Sequence, residues 1–224
     1  GLAQRGGPPL AGSRRTGAAQ PWADIFLRIP LERPSATHTP SDTSVGDLDG
    51  DGAYEVLLKW EPDNAKDNSQ AGMTDNVFID ALKLDGTRLW RIDLGPNVRA
   101  GAHYTQILVA DGDGDGSAEL LLKTAPGTRD GSDTFLSLGP AAADDDGESF
   151  RNPDGYVLSG PEYVTVFEGA TGRELATADF DQARGAVNSW GDNYGNRVDR
   201  FLGTAAYLDG TGMQSFVMAR GYYT

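Results

Sequence analysis

Residues 109–125 read VADGDGDGSAELLLKTA. Asp111, Asp113 and Asp115 stand at alternate positions with glycines between them, and Glu119 follows just before an apolar run. Carboxylates placed this close together repel one another, and the glycines cost backbone entropy on folding. Some other group must therefore hold the loop closed.

The same loop occurs 64 residues earlier in the chain. Residues 47–59 read DLDGDGAYEVLLK and residues 111–123 read DGDGDGSAELLLK, with acids at positions 1, 3, 5 and 9 of each. We call residues 47–55 the first acidic loop and residues 111–119 the second acidic loop. A third, weaker copy at residues 207–219 (YLDGTGMQSFVMA) keeps two glycines and one aspartate. The chain is therefore built from an uneven internal repeat.

The acidic loops predict a metal site. Carboxylates at positions 1, 3 and 5 with glycine at position 6 match the first half of an oxygen-only calcium loop. An EF-hand ends in glutamate at position 12 between helices. Here the last acid is at position 9 and a β-type run follows, which excludes EF-hands and dockerin-like helical repeats. A solvated, charged turn is the alternative. All-oxygen ligands favour Ca²⁺ in a structural role, and the predicted ligands are Asp47, Asp49, Asp51, Glu55, Asp111, Asp113, Asp115 and Glu119.

The pattern around the loops predicts an all-β fold. Each unit reads strand, acidic loop, strand, variable insert, strand, turn, strand, with hairpin signals at Asp85-Gly86 and at residues 168–172. Recurring groups of four antiparallel strands indicate the blades of a β-propeller. The chain supplies about three blades and a propeller closes with at least about four, so we expect a fragment. Strands are also predicted at residues 25–31 and 103–110.

The predicted domain boundaries follow composition. Residues 1–20 are rich in Gly, Ala, Pro and Arg without any period, so we expect a disordered or unrelated segment there. Residues 22–224 form the predicted partial propeller domain. The formal net charge of −14 argues against nucleic acid and anionic membrane surfaces as partners. The absence of cysteine excludes disulfides and thiolate metal sites.

Other polar groups occur beside the predicted strands. Residues 99–106 and 190–200 combine cations, aromatic rings and acids, and either stretch could bind a ligand or form a strand-end network. Lys59 and Lys123 are equivalent in the repeat and could bind an acidic sugar or guard a strand edge. The polar insert at residues 63–70 suits recognition of sugar hydroxyls, or is an ordinary loop.

Several longer strings resemble a known family. They are VGDLDGDG (45–52), KDNSQ (66–70), LDGTRLWRIDLG (84–95), RAGAHYTQ (99–106), LSGPEY (158–163) and GNRVDRF (195–201). Together they closely resemble bacterial rhamnogalacturonan lyases of polysaccharide lyase family 11, from about residue 26 to residue 224.

The resemblance implies a function. It implies a secreted, monomeric, calcium-containing, eight-bladed propeller enzyme that cleaves rhamnogalacturonan I between rhamnose and galacturonic acid by β-elimination. We expect this chain to be the N-terminal part of the propeller, with catalytic residues in later blades and no activity of its own. A non-enzymatic, calcium-stabilised propeller module that binds glycan or protein is the alternative. The predicted substrate-cleft residues are Asn64, Asp67, Asn68, Arg99, His103 and Tyr104.

Overall fold

The computed structural model describes residues 26–222, and within this range all regular structure except two short 3₁₀ helices is β-strand. The predicted all-β class is confirmed. None of the helices in the described range is long and apolar enough to cross a membrane. The segment predicted to be disordered, residues 1–20, lies outside the described residues.

The first sheet is a four-stranded antiparallel meander. Its strands are β1 (His38–Gly46), β2 (Glu55–Pro62), β3 (Phe78–Leu82) and β4 (Arg88–Asp93), hydrogen-bonded in the order β1-β2-β3-β4. The first acidic loop joins β1 to β2, and the Asp85-Gly86 turn joins β3 to β4. Gly86 donates to the carbonyl of Lys83 and Lys83 donates to that of Thr87, so residues 84–86 form a three-residue hairpin loop. Gly86, at φ +92°, takes the left-handed position of this loop, which glycine adopts without strain.

The second sheet repeats this arrangement. Its strands are β5 (Leu108–Ala110), β6 (Glu119–Thr124), β7 (Tyr163–Phe167) and β8 (Glu174–Asp179), again in sequence order and antiparallel. The 3₁₀ helix Gly139–Ala143 lies in the long insert between β6 and β7, and the 3₁₀ helix Val187–Trp190 follows β8. A third, two-stranded sheet pairs β9 (Phe201–Ala206) with β10 (Ser215–Arg220).

A single apolar cluster joins the first two sheets. Leu57 and Ile79 from the first sheet and Leu120 and Leu122 from the second are fully buried in it. Leu48, at position 2 of the first acidic loop, is also fully buried in this cluster. Alternate residues of the central strands therefore face the neighbouring sheet, as expected for strands whose packed face is apolar.

Two strand predictions need correction. Residues 26–31 are not a strand, and Phe26 and Leu27 are 67% and 61% exposed. The chain's first described strand is instead the polar segment His38–Gly46, an edge strand that needs few apolar residues because one side meets solvent. The strand predicted at residues 103–110 contains only Leu108–Ala110, because residues 102–104 form a turn.

The connections divide between two ends of the sheets. Both acidic loops and both hairpin turns lie at one end, where the backbone N–H of Ala118 donates to the carbonyl of Asp47 at 2.7 Å. The inserts between β2 and β3 and between β6 and β7 begin at the other end, where Gly72 donates to the carbonyl of Asp154 at 2.7 Å. The second insert also extends back to the β7–β8 turn, where Gly131 donates to the carbonyl of Gly172 at 2.8 Å. We call these the loop end and the insert end.

Candidate functional site

Four backbone hydrogen bonds shape both acidic loops in the same way. In each loop, the carboxylate at position 9 accepts a hydrogen bond from the backbone N–H of residue 2. The aspartate at position 1 accepts one from the backbone N–H of residue 6. The aspartates at positions 3 and 5 each accept from the residue two positions later. In the first loop these bonds measure 2.8–3.3 Å, and in the second 2.7–3.2 Å. The repeated spacing of the sequence therefore produces a repeated backbone geometry.

The loops bring carboxylate oxygens together. Asp47, Asp49 and Glu55 each place an oxygen within 4.8 Å of the others, and Asp111, Asp113 and Asp115 do the same. A single cation can bridge oxygens at such spacing. Asp51 and Glu119, the other predicted ligands, lie outside these two groups. The calcium assignment stays a prediction.

Keeping these buried carboxylates ionised costs free energy unless a positive charge lies close to them. Glu55 is 2% exposed, and burial, together with the nearby Asp49 and Asp51, raises its pKa despite the hydrogen bond from Leu48. Burial likewise raises the pKa of Glu119, with Asp113 and Asp115 adding to the effect. One oxygen of Asp47, Oδ1, is buried without any hydrogen-bond partner. An unpaired, buried carboxylate oxygen fits a site that takes a cation.

The third loop keeps the hydrogen bonds at positions 3 and 5 but has no carboxylate at positions 1, 5 and 9. Asp209 Oδ1 accepts both the backbone N–H of Thr211 at 2.9 Å and the Thr211 hydroxyl at 2.6 Å. These hydrogen bonds lower the pKa of Asp209. Thr211 thus occupies position 5, where the other loops have an aspartate, and the carboxylate is used within its own turn.

Most of the predicted cleft residues meet at the insert end. Arg99 donates to the hydroxyl of Tyr104 at 2.6 Å and to the carbonyl of Gly72 at 3.2 Å, and its guanidinium stacks on Tyr156 at 4.4 Å from the ring centroid. Asn68 donates to the carbonyl of Asp199 at 2.7 Å. Arg99, Asn68 and Tyr104 are all buried. They hold the polar insert against the stretches before β5 and β9.

The other predicted cleft residues are partly exposed. Asp67 lies 3.6 Å from His103 Nε2, measured to Oδ2, and 3.3 Å from Arg200 Nη2, measured to Oδ1. Hydrogen bonds from Ser69, supported by the charges of Arg200 and His103, lower the pKa of Asp67. Asn64 lies apart from this group and accepts the backbone N–H of Asp75 at 3.0 Å.

Sequence reasoning missed Arg200 and Tyr194 at this place. Arg200 donates to the backbone and the side chain of Asn196, at 2.9 and 2.7 Å, which fixes its guanidinium beside Asp67. Tyr194 packs against Tyr156, with ring centroids 5.9 Å apart, and is 36% exposed. Both belong to the stretch 190–200, which its composition marked as unusual without assigning these two residues. We call Asp67, His103, Tyr194 and Arg200 the insert-end patch.

A buried group of charges joins the second and third sheets, and we call it the ion cluster: Lys123, Glu162, Arg184, Asp199 and Arg220. Glu162 Oε1 lies 3.1 Å from Lys123 Nζ and 2.7 Å from Arg184 Nη2, and Arg220 also pairs with it. Burial raises the pKa of Glu162, but the surrounding cations outweigh it and bring the pKa down to about 2. Burial raises the pKa of Asp199 to about 6, although Arg184 and Lys123 oppose the shift.

The two equivalent lysines do not guard strand edges. Lys59 and Lys123 lie on central strands and are 0% and 6% exposed. Lys59 Nζ pairs with Asp42 at 2.5 Å and with Glu61 at 3.2 Å. Each lysine therefore neutralises carboxylates of its own repeat, and the edge-guard interpretation is wrong.

The comparisons with known proteins identify the family. Residues 26–224 match the model of rhamnogalacturonan lyase family 11, C-terminal domain. The chain belongs to this family. The expectation that it is the N-terminal part of the propeller is corrected, because the family 11 model that matches is that of the C-terminal domain.

Several proteins named as rhamnogalacturonan lyases are similar to this chain in sequence and in structure. The chain is 58% identical over 214 residues to the rhamnogalacturonan endolyase YesW of Bacillus subtilis strain 168, covering 92% of this chain and 33% of YesW. It is 53% identical over 215 residues to the exolyase YesX of the same strain, covering 92% of this chain and 34% of YesX. The solved Bacillus licheniformis rhamnogalacturonan lyase PL11 is 60% identical with a TM-score of 0.78, over 84% of this chain and 31% of that one. The chain thus spans about a third of the length of these relatives.

Proposed function

We propose that this chain is part of a secreted lyase that cleaves rhamnogalacturonan I by β-elimination between rhamnose and galacturonic acid. The observation that supports this most is the family 11 match over residues 26–224, together with relatives named as rhamnogalacturonan endolyase and exolyase. The substrate is a polymer of the plant cell wall, so the proposed site of action is outside the producing cell.

The chemistry sets two requirements. A base takes the proton from C5 of the galacturonosyl residue, the bond from C4 to the oxygen shared with rhamnose breaks, and a C4=C5 double bond forms. The oxygen leaves with rhamnose and takes up a proton, and a cation that neutralises the adjacent carboxylate makes the C5 proton acidic. The insert-end patch offers a guanidinium, Arg200, held in place by Asn196 and beside the carboxylate of Asp67. We propose that Arg200 and His103 bind uronate groups of the polymer. We place no catalytic base among the residues described.

We also propose that the repeated sheets are blades of a β-propeller and that calcium stabilises their loop end. Two successive four-stranded antiparallel meanders with the same strand order support the propeller. The unpaired Asp47 Oδ1 and the converging carboxylates of the two acidic loops support calcium. Bound calcium would supply the counter-charge that lets these carboxylates stay ionised close together.

The decisive experiment is a lyase assay on the full-length protein that contains this chain. β-Elimination leaves an unsaturated galacturonosyl end, so ultraviolet absorbance is expected to rise when the enzyme acts on purified rhamnogalacturonan I. No rise with folded, calcium-loaded protein would contradict the proposed activity. Retained binding of the polymer without any rise would favour the alternative, a non-enzymatic glycan-binding module.

The role of Arg200 gives a specific prediction. We expect Arg200→Gln to lower kcat/KM about tenfold to a hundredfold, because a charge-assisted hydrogen bond contributes about 1.5–3 kcal/mol. Arg173→Gln is the matched control, since Arg173 lies at the loop end and its side chain is 58% exposed. The thermal midpoints of both variants should stay near that of the parent. Equal kcat/KM values for the two variants would remove Arg200 from the proposed substrate site.

A further inference from the structure

A lysine reaches into the first acidic loop from a neighbouring strand. Lys83 directly follows β3, and its Nζ lies 2.7 Å from Asp49 Oδ2 and 3.6 Å from Asp51 Oδ2. The side chain of Lys83 is 35% exposed, and that of Asp49 is 25% exposed. An ammonium group at this distance supplies one of the positive charges that the crowded carboxylates need.

The second acidic loop has no such lysine. Strand pairing aligns Val56 with Leu82 in the first sheet and Leu120 with Phe167 in the second, so Glu168 takes the position of Lys83. Glu168 accepts a hydrogen bond from Thr171 and pairs with Arg173 at 3.4 Å. Among the ion pairs of residues 26–222, none joins a cation to the aspartates of the second loop.

We propose that Lys83 is a tethered cation that competes with Ca²⁺ for the first acidic loop, so that the two loops are unequal metal sites. This rests on the calcium role proposed above. Three carboxylates converge in each loop, and the first loop also holds the ammonium of Lys83. Calcium affinity is tuned by the number of ligand charges. The second loop therefore binds calcium at a lower concentration than the first loop does.

The first loop contains its own spectroscopic reporter. Tyr54, at position 8, is 62% exposed, whereas the second loop has Ala118 at that position. Tb³⁺ replaces Ca²⁺ at oxygen sites and emits when a nearby tyrosine is excited. Tyr54 lines one cavity with Asp47 and with Asp111 of the second loop, so the titration is made in a background that carries Asp113→Asn to weaken the second loop. In that background, a titration of the full-length protein with Tb³⁺ reports the first loop, and Tyr54→Leu identifies the part of the signal that depends on Tyr54. Addition of Ca²⁺ then displaces Tb³⁺ and gives the calcium affinity.

The expected result is a change confined to variants that remove the charge of Lys83. Lys83→Met should tighten Tb³⁺ and Ca²⁺ binding at the first loop about tenfold, or about 1.4 kcal/mol, because the competing charge is removed. Lys83→Arg keeps the charge and should leave the weaker affinity in place. Lys66→Met is the matched control, because Lys66 lies in the insert at the far end of the sheet, where its backbone N–H donates to the carbonyl of Ala100.

The outcomes separate this inference from the calcium proposal itself. Tyr54-dependent emission with the same affinity in the parent and in Lys83→Met would overturn the competition alone. Weaker binding in Lys83→Met would also overturn it, because Lys83 would then support the site. Absence of Tyr54-dependent emission from every folded variant would overturn both the first calcium site and the competition.

Discussion

Glu162→Gln is expected to lower the free energy of unfolding by about 3–5 kcal/mol, the range for breaking one side of a buried ion pair. The side chain of Glu162 is 7% exposed, and it is the carboxylate that Lys123, Arg184 and Arg220 all face. Glutamine keeps the size of the side chain but leaves three buried cations with only Asp199 to balance them. Chemical denaturation of the full-length protein at neutral pH measures the loss.

Two further variants make this prediction specific. Glu168→Gln, in an exposed turn of the same sheet, should change the free energy of unfolding by less than about 0.5 kcal/mol. Lys123→Met added to Glu162→Gln should recover part of the loss, because one unbalanced cation disappears. A loss below about 1 kcal/mol in Glu162→Gln would show that the cluster is neutralised by something other than Glu162.

The ion cluster also predicts that the free energy of unfolding falls at acid pH. The pKa of Glu162 is about 2 in the folded chain, below the value of about 4.3 in an unfolded one. Its contribution is therefore complete above about pH 4.3 and is lost as the pH falls toward 2. The parent protein should lose this part of its stability over that interval, and Glu162→Gln should not. Parallel curves for the two proteins would contradict the assignment.

Removal of calcium is the second change with a large expected effect. A ligand that binds only the folded state at 100 to 1,000 times its dissociation constant adds about 2.7–4.1 kcal/mol. We therefore expect a chelator to lower the free energy of unfolding by about 2.7–4.1 kcal/mol for each acidic loop that held calcium. Denaturation midpoints of the full-length protein, measured with saturating calcium and with chelator, give the difference.

Loop variants assign this loss to particular carboxylates. Asp113→Asn removes a charge from the carboxylate group of the second loop and should shrink the calcium-dependent part of the stability. Asp209→Asn is the matched control, since Asp209 belongs to neither carboxylate group and its substitution should not change the response to calcium. Identical midpoints with and without chelator in the parent protein would exclude structural calcium.

Local patterns in the sequence were sufficient to predict most of the fold. The strands after the acidic loops and the hairpin around Asp85-Gly86 are correct, because glycine-rich turns and short apolar runs act within a few residues. The polar strand β1 was missed because an edge strand need not be apolar. The strand predicted at residues 25–31 is wrong over the described residues 26–31, because apolar residues alone do not make a strand. Phe26, Leu27 and Leu31 are exposed and have no sheet to pack against.

The candidate site was predictable only in part. Asp67, Asn68, Arg99, His103 and Tyr104 do meet, although they come from two separate stretches that each looked unusual. Arg99 and Asn68 turned out to hold backbone carbonyls, a role that depends on the fold of the insert. The ion cluster left no signal in the sequence, because its members lie far apart between residues 123 and 220. Only packing shows that these charges share one buried space.

The separation of the loop end from the insert end affects how such a chain can diverge. Residues 63–76 can change in length and composition without touching the hydrogen bonds that link Asp47 to Ala118 and Asp111 to Gln214, whereas residues 126–161 also bond to the β7–β8 turn through Gly131. Relatives named as an endolyase and an exolyase share 58% and 53% of their residues with the same segment. The first insert can therefore vary among relatives while the hydrogen bonds of the loop end are kept.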